Sequence, residues 1–195
     1  MHLSPRFTEA LVYAATLHQH QRRKVSGAPY VAHLLRVAGI VLEGGGEDEG
    51  IAALLHDAVE DQGGKPVCQE ISRRFGEQVA AIVEGCTDAD VSPKPPWRQR
   101  KEAHLARLRH ASDAVRLVVA ADKLDNARAL SAEYRRRGES LWDFFQGGRD
   151  GTLWYYRSML EVLSATGTSP LLDELRRTVD QLDQLIHTMR MRGSE

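Results

Sequence analysis

Within the stretch LLHDAVED, His56 and Asp57 stand side by side after an apolar run, where a helix that only had to pack would have no use for either. A buried imidazole or carboxylate must be paired or bound. His33 upstream in APYVAH and Asp122 downstream in AADKLDNAR complete a set of two imidazoles and two carboxylates, donors that suit a divalent metal ion. Such a set leaves positions on an octahedral ion open to water and a phosphate oxygen, and an ion held this way acidifies water and polarises a phosphoryl group. The chemistry indicated is metal-assisted phosphate hydrolysis. Glu60 and Asp61 follow His56 and Asp57 by four residues, one helical turn on, where a carboxylate can orient the attacking water or take its proton.

The elements that must position these side chains read as helices throughout. Ser4-Pro5 is a helix start, followed at helical spacing by Phe7, Leu11, Ala14, Ala15 and His18, and the helix runs out in the polar stretch HQHQRRK. After the VSGAP turn a second helix is predicted from Tyr30 to Glu43, stopped by Gly44-Gly45-Gly46. A third is predicted from Glu47 to about Val59, placing His56 and Asp57 roughly 100° apart on one continuous helix. CQEISRRF and EQVAAIVEGC suggest a short helix and a longer one. The segment DADVSPKPPW, Asp88 to Trp97, is too rich in proline to be helical and is a candidate functional loop. Helical patterns resume over Arg98 to Arg109, Asp113 to Leu130, Leu153 to Leu163 and Leu171 to Met191. No strand series or internal repeat is visible.

At 195 residues and 42% hydrophobic content the chain suits a single domain. Its 26 basic and 27 acidic residues balance, so no overall field argues for nucleic acid or an anionic membrane, and any anion binding must be local. A basic cluster around the proline-rich loop, Lys94, Arg98, Arg100 and Lys101, is a candidate for it. Cys68 and Cys86 form no CxxC, no apolar leader precedes Ser4-Pro5, and no apolar run nears the ~20 residues that span a bilayer, so a soluble cytoplasmic protein is expected. In Leu153-Trp154-Tyr155-Tyr156 the aromatics are read mainly as core, with Tyr155 or Tyr156 also placed to touch a ribose or base. His18, His20, His104 and His110 are read as ordinary surface or core residues.

QRRKVSGAPYVAH, then LLHDAVED, then ADKLDNAR together resemble the HD-domain hydrolases of the RelA/SpoT homologue type, particularly the small stand-alone alarmone hydrolases, over about residues 7 to 160. The resemblance implies an all-α HD-domain helical bundle, a single domain over 1–195 with its motif core at 7–160 and a C-terminal helix at 170–191. It also implies one divalent metal, usually manganese, held by His33, His56, Asp57 and Asp122, with Glu60 and Asp61 catalytic. The implied reaction removes pyrophosphate from the 3′ position of guanosine tetra- or pentaphosphate. Arg23 and Lys24 match the family's basic pair beside the nucleobase, and Asn126 matches the ribose-side asparagine. A guanidinium can stack on a purine, and Asn126 lies one helical turn after Asp122, facing the same cleft. Lys94, Arg98, Lys101 and Tyr156 complete the expected substrate-binding set.

Two features depart from the family's pattern. Its usual histidine before the asparagine is Asp125 here, and the serine of VSG lengthens the basic-pair turn; both bear on the substrate rather than on the metal. The chain has no segment for a synthetase domain, so degradation without synthesis is the expectation. Two other functions fit the same residues: an HD phosphatase acting on NADPH or a nucleoside monophosphate, and a nucleotide sensor that binds without turnover. Neither the metal used in the cell nor the oligomeric state is legible, since manganese, iron and zinc all accept these ligands.

Overall fold

Helix α1 (Pro5–Leu17) starts as its sequence indicates: Pro5 opens it and the Ser4 hydroxyl caps it, accepting from the Arg6 N–H at 3.2 Å. In this computed structural model, which describes residues 2–88, 93 and 95–192, α1 is followed by α2 (Val31–Leu42), α3 (Glu47–Leu55) and α4 (Ala58–Gln62). Next come α5 (Lys65–Phe75), α6 (Glu77–Cys86), α7 (Trp97–Leu108), α8 (Asp113–Arg137) and a 3-10 helix, Gly138–Phe144. The chain continues in α9 (Gly148–Ser164) and α10 (Pro170–Arg192). Among the described residues extended pairing is confined to one isolated bridge, Arg22 to Pro29, so the architecture is an all-α bundle.

Helix α3 is the axis of the bundle. From Gly50 to Leu55 every residue is buried, because α1, α2, α6 and α8 all pack around it. Its N-terminus gathers Glu47, Asp48 and Glu49 where the helix dipole favours acids, and the Glu49 carboxylate accepts from the Gly46 N–H at 2.9 Å. Gly50 permits the closest approach: a Cβ there would lie 2.5 Å from Leu42 Cδ2, inside α2.

Several elements differ from the sequence reading: α9 begins at Gly148 rather than Leu153, α5 begins at Lys65 rather than Cys68, and the 3-10 helix Gly138–Phe144 had no counterpart in it. Two further differences bear on the site. The predicted helix from Glu47 to Val59 is broken at His56-Asp57, where Asp57 takes φ −100°, ψ −1°, and the chain restarts in α4 with the Asp61 N–H donating to the Asp57 carbonyl at 3.0 Å. An unbroken apolar pattern hides a turn that keeps nearly helical dihedrals. The helix expected to end at Leu130 continues to Arg137, and Gly138, at φ +58°, stops it. The run SAEYRRR lacks apolar periodicity, yet Tyr134 is buried and three arginines sit in the last turn, where the dipole favours cations.

Helix α10 lays Leu175, Val179, Leu182 and Ile186 against α8 and α9, and ion pairs Arg128–Glu174 and Arg157–Asp183 flank that seam. Among the described residues no helix is long and apolar enough to cross a membrane.

Candidate metal and nucleotide site

The turn between α3 and α4 aims its two side chains at the start of α2 and the middle of α8. His33, His56 and Asp57 offer ligand atoms within 4.8 Å of one another. Asp122 joins them: its Oδ1 lies 3.2 Å from His33 Nε2 and 3.6 Å from His56 Nε2, while Asp57 Oδ2 lies 3.7 Å and 3.0 Å from the same nitrogens. Both imidazoles are buried, and neither Nε2 finds an aligned hydrogen-bond partner among the described residues. Their other nitrogens are fixed: His56 Nδ1 sits 2.8 Å from the Ala53 carbonyl, and His33 Nδ1 2.6 Å from Asp125 Oδ2. Each ring thereby presents Nε2 to the cluster, the orientation that a metal-ligating histidine takes from its outer partner.

The charges in the cluster point the same way. Burial disfavours a charged His56, yet the Asp57 and Asp122 carboxylates outweigh it and raise its pKa well above the ordinary value. Asp57 and Asp122 are held low against the cost of burial, the first chiefly by His56 and the second chiefly by Lys123. Two buried carboxylates and two inward-pointing imidazole nitrogens form an N2O2 donor set that fits a divalent cation.

A cavity of about 200 Å³ opens over this cluster, walled by Tyr30, Glu60, Asp61, Cys86, Asp88, Lys101, His104, Lys123 and Asn126 among others. Glu60 accepts from the Asp88 N–H at 3.3 Å, and Gln21 donates to Asp61 Oδ2 at 2.7 Å. Burial, then the nearby Asp57 charge, raises the Asp61 pKa. Tyr30 donates its hydroxyl to Asp57 Oδ2 at 2.6 Å.

A second cavity, about 580 Å³ and mainly apolar, shares Tyr30, Lys101, Lys123, Asn126 and Tyr155 with the first and extends over Arg23, Lys24, Leu141, Phe145 and Tyr156. The VSGAP turn shapes its mouth. Gly27, at φ +70°, lets the Arg23 and Ala28 backbones bond back on each other, and Arg23 reaches across to donate to Asn126 Oδ1 at 2.6 Å. Asn126 in turn donates to Asp122 Oδ1 at 2.5 Å, tying the two cavities together.

The structure therefore gathers His56, Asp57, Asp122, Glu60 and Asp61 around one cavity, with His33 behind them in the donor cluster, and Arg23, Lys24, Lys101, Asn126 and Tyr156 around its neighbour. Arg98 is not brought to either wall; its guanidinium lies 3.3 Å from the centre of the Trp154 ring and pairs with Glu102. Lys94 lies outside the described residues. Arg100 is spent on Asp88, at 2.5 Å.

Four residues to which the sequence reading gave no role in the site belong to it, among them His104, which it took for an ordinary surface or core residue. Lys123 is buried, bonded to Asp122 Oδ2 at 2.6 Å, and lines both cavities. Tyr30, Asp125 and His104 also touch the cluster or its walls. Tyr30 and Asp125 each lie three residues from a predicted ligand, within one helical turn, which was the available signal. His104 gave none.

An all-helical bundle with this donor set at the floor of a polar cavity defines the HD class of metal-dependent hydrolase. Residues 10–153 match the HD domain, and the chain belongs to that family, whose members depend on a divalent metal. It is 43% identical over 126 residues to guanosine-3′,5′-bis(diphosphate) 3′-pyrophosphohydrolase MESH1 of Xenopus tropicalis, covering 63% of this chain and 68% of that one. Similarity to the MESH1 of Homo sapiens is 39% over 127 residues, with the same coverage. Among solved structures, that of a metazoan ortholog of SpoT that hydrolyzes ppGpp superposes with a TM-score of 0.76 at 30% identity, covering 93% of this chain and 97% of the other. The structure of lmo0812 from Listeria monocytogenes EGD-e gives 0.67 at 30% identity, covering 77% and 97%.

Proposed function

We propose that this protein is a metal-dependent 3′-pyrophosphohydrolase of guanosine tetra- and pentaphosphate or related alarmones, working on a free small-molecule nucleotide in the cytoplasm, without nucleic acid or membrane. The observation that carries this reading is the joining of the two cavities through shared walls. One is polar, floored by the donor cluster; the other is apolar and of nucleoside size. Relatives about 40% identical are named for this reaction.

His33, His56, Asp57 and Asp122 would hold the divalent ion, manganese in our reading. When bound, the ion supplies Lewis-acid activation of the phosphoryl group and of water. Lys101 and Lys123, on the wall common to both cavities, are placed to pair with the phosphate oxygens. Asn126 binds the ribose, and Arg23 with Lys24 borders the base. Water forms a bond to the phosphorus next to the 3′ oxygen, the bond from that phosphorus to O3′ breaks, pyrophosphate carries away the new oxygen, and the 3′ oxygen leaves as a hydroxyl by gaining the proton that the water gives up to the carboxylates. Glu60 and Asp61 orient the water and take its proton, a role that suits the raised pKa of Asp61.

The test is to incubate metal-stripped protein with guanosine tetraphosphate, with and without manganese, and resolve the products. Manganese-dependent pyrophosphate and guanosine diphosphate in equal amounts are expected. Orthophosphate from NADPH or a nucleoside monophosphate, with no alarmone turnover, would replace this reading by the HD-phosphatase one, and binding without turnover of any nucleotide would make the protein a sensor.

A further inference from the structure

Glu133 is out of place by charge. The larger cavity is to receive part of a polyanion and is bordered by Arg23, Lys24, Lys101 and Lys123, yet among the described residues lining it there is one acid, Glu133, and it is buried. Two arginines, Arg136 and Arg137, each reach one of its carboxylate oxygens at 3.1 Å. An ion pair of that spacing serves equally well on a helix surface, so pairing alone does not explain an acid on a wall where every other described charged residue is a cation. Each carboxylate oxygen accepts more than one hydrogen bond, so both keep capacity for a ligand.

The position of Glu133 says which part of the ligand it meets. Asp122, Asn126, Leu130 and Glu133 follow one face of α8 at offsets of four, eight and eleven residues. At 1.5 Å of rise per residue, Asn126 lies about 6 Å and Glu133 about 16 Å along the axis from Asp122, and helical side chains lean back towards the N-terminus, shortening the second reach. The face is a ruler with the reacting phosphate at Asp122, the ribose at Asn126 and the far edge of the base at Glu133. Leu141 and Phe145 line the same cavity and give an apolar wall for the ring, and Arg137, paired with Glu133, also donates to the Val25 carbonyl at 3.2 Å.

We propose that Glu133 reads the base, accepting hydrogen bonds from N1–H and the 2-amino group of guanine, and so makes guanosine nucleotides the preferred substrates. The proposal rests on the alarmone-hydrolase reading for its reaction but not for its contact. Guanine presents two adjacent donors along that edge, a fork that matches a carboxylate. Adenine offers an acceptor at N1, which would face the carboxylate lone pairs, and a hydroxyl- or amine-reading site left mismatched discriminates strongly. Glutamine in the same place would donate to adenine N1 and accept from its 6-amino group.

The experiment compares wild type with Glu133→Gln, a near-isosteric change whose folding is checked by thermal melting. It uses guanosine and adenosine 3′,5′-bis(diphosphates) as substrates and guanosine and adenosine 5′-diphosphates as binding probes in calorimetry. A wild-type preference for guanosine of about tenfold or more is expected in kcat/KM and in Kd, in line with one bidentate base contact. Glu133→Gln should lower that ratio by about tenfold or more, by weakening guanosine and sparing or improving adenosine. A wild-type ratio near one, or a ratio unchanged in a folded Glu133→Gln, would overturn the proposal. If no alarmone is turned over, the functional reading fails while the Kd ratios still decide the contact; binding of neither diphosphate counts against Glu133.

Discussion

Asp57 and Glu60 stand three residues apart but hold different surroundings, and that difference assigns them separable jobs. Asp57 Oδ2 lies 3.0 Å from His56 Nε2 within the donor cluster, whereas Glu60 lies on the cavity wall near the Asp88 backbone. Asp57→Asn should therefore lose metal and turnover together. Glu60→Gln should keep metal, measured by dialysis and elemental analysis, while losing about 10²-fold or more in kcat, the usual worth of a positioned acid or base. Equal metal loss in both would contradict the division. Asp125 acts at one remove: it binds His33 Nδ1 at 2.6 Å and is itself held by Arg36 at 2.5 Å, so it fixes the ring rather than the ion. Asp125→Ala should weaken metal affinity about 10–100-fold while leaving turnover at saturating metal much less affected. The grouping of His33, His56, Asp57 and Asp122 was legible in the sequence because their types are costly to bury without cause. Asp125 was noticed as a departure from the family's pattern, but its bond to His33 was not legible, because a contact spanning 92 residues leaves no local trace.

At the scale of elements, the site depends on how closely α6 and α8 approach. A Cβ on Gly85 would lie 2.6 Å from Val115 Cγ2, and the next residue, Cys86, lines the smaller cavity. Gly85→Ala should gain helix propensity yet destabilise the fold by about 1–3 kcal/mol through overpacking, read by urea unfolding; unchanged stability would mean that the two helices can part without cost. The helices themselves were legible from Ser4-Pro5, the apolar periodicity and the glycine stops. What escaped near the site, besides the 3-10 helix and the first turn of α9, was the turn at His56-Asp57 and the last two turns of α8, Ser131 to Arg137. The first hides because its dihedrals stay near the helical well, and the second because a face of α8 that lines a ligand cavity need not be apolar. Glu133 lies in that missed stretch, so a reading that ends α8 at Leu130 cannot reach the base end of the pocket.

For the whole molecule, a formal charge of −1 conceals a concentration of cations around one opening, and the consequences appear when pH is varied. Burial, with Lys123, Lys101 and Arg107 near it, lowers the His104 pKa from 6.5 to about 3, and the Asp88 carboxylate only partly offsets this. The folded protein thus keeps His104 neutral at a pH where the unfolded chain takes up a proton. Stability from this group is present above about pH 6.5 and is lost as pH falls from there towards about 3. Between pH 7.5 and 5.5 the loss amounts to about 1 kcal/mol, most of it below 6.5. Urea unfolding of the wild type and of His104→Leu, both in chelator so that metal binding does not vary with pH, should show the variant losing about that much less on acidification. Parallel losses would mean that His104 is protonated in the fold and that the Asp88 carboxylate, not the lysines, dominates its surroundings. The comparison also bears on the phosphate wall: Lys101 and Lys123 can depress His104 only if their charge is present in the protein before any substrate arrives, which is what an anion-receiving cavity requires.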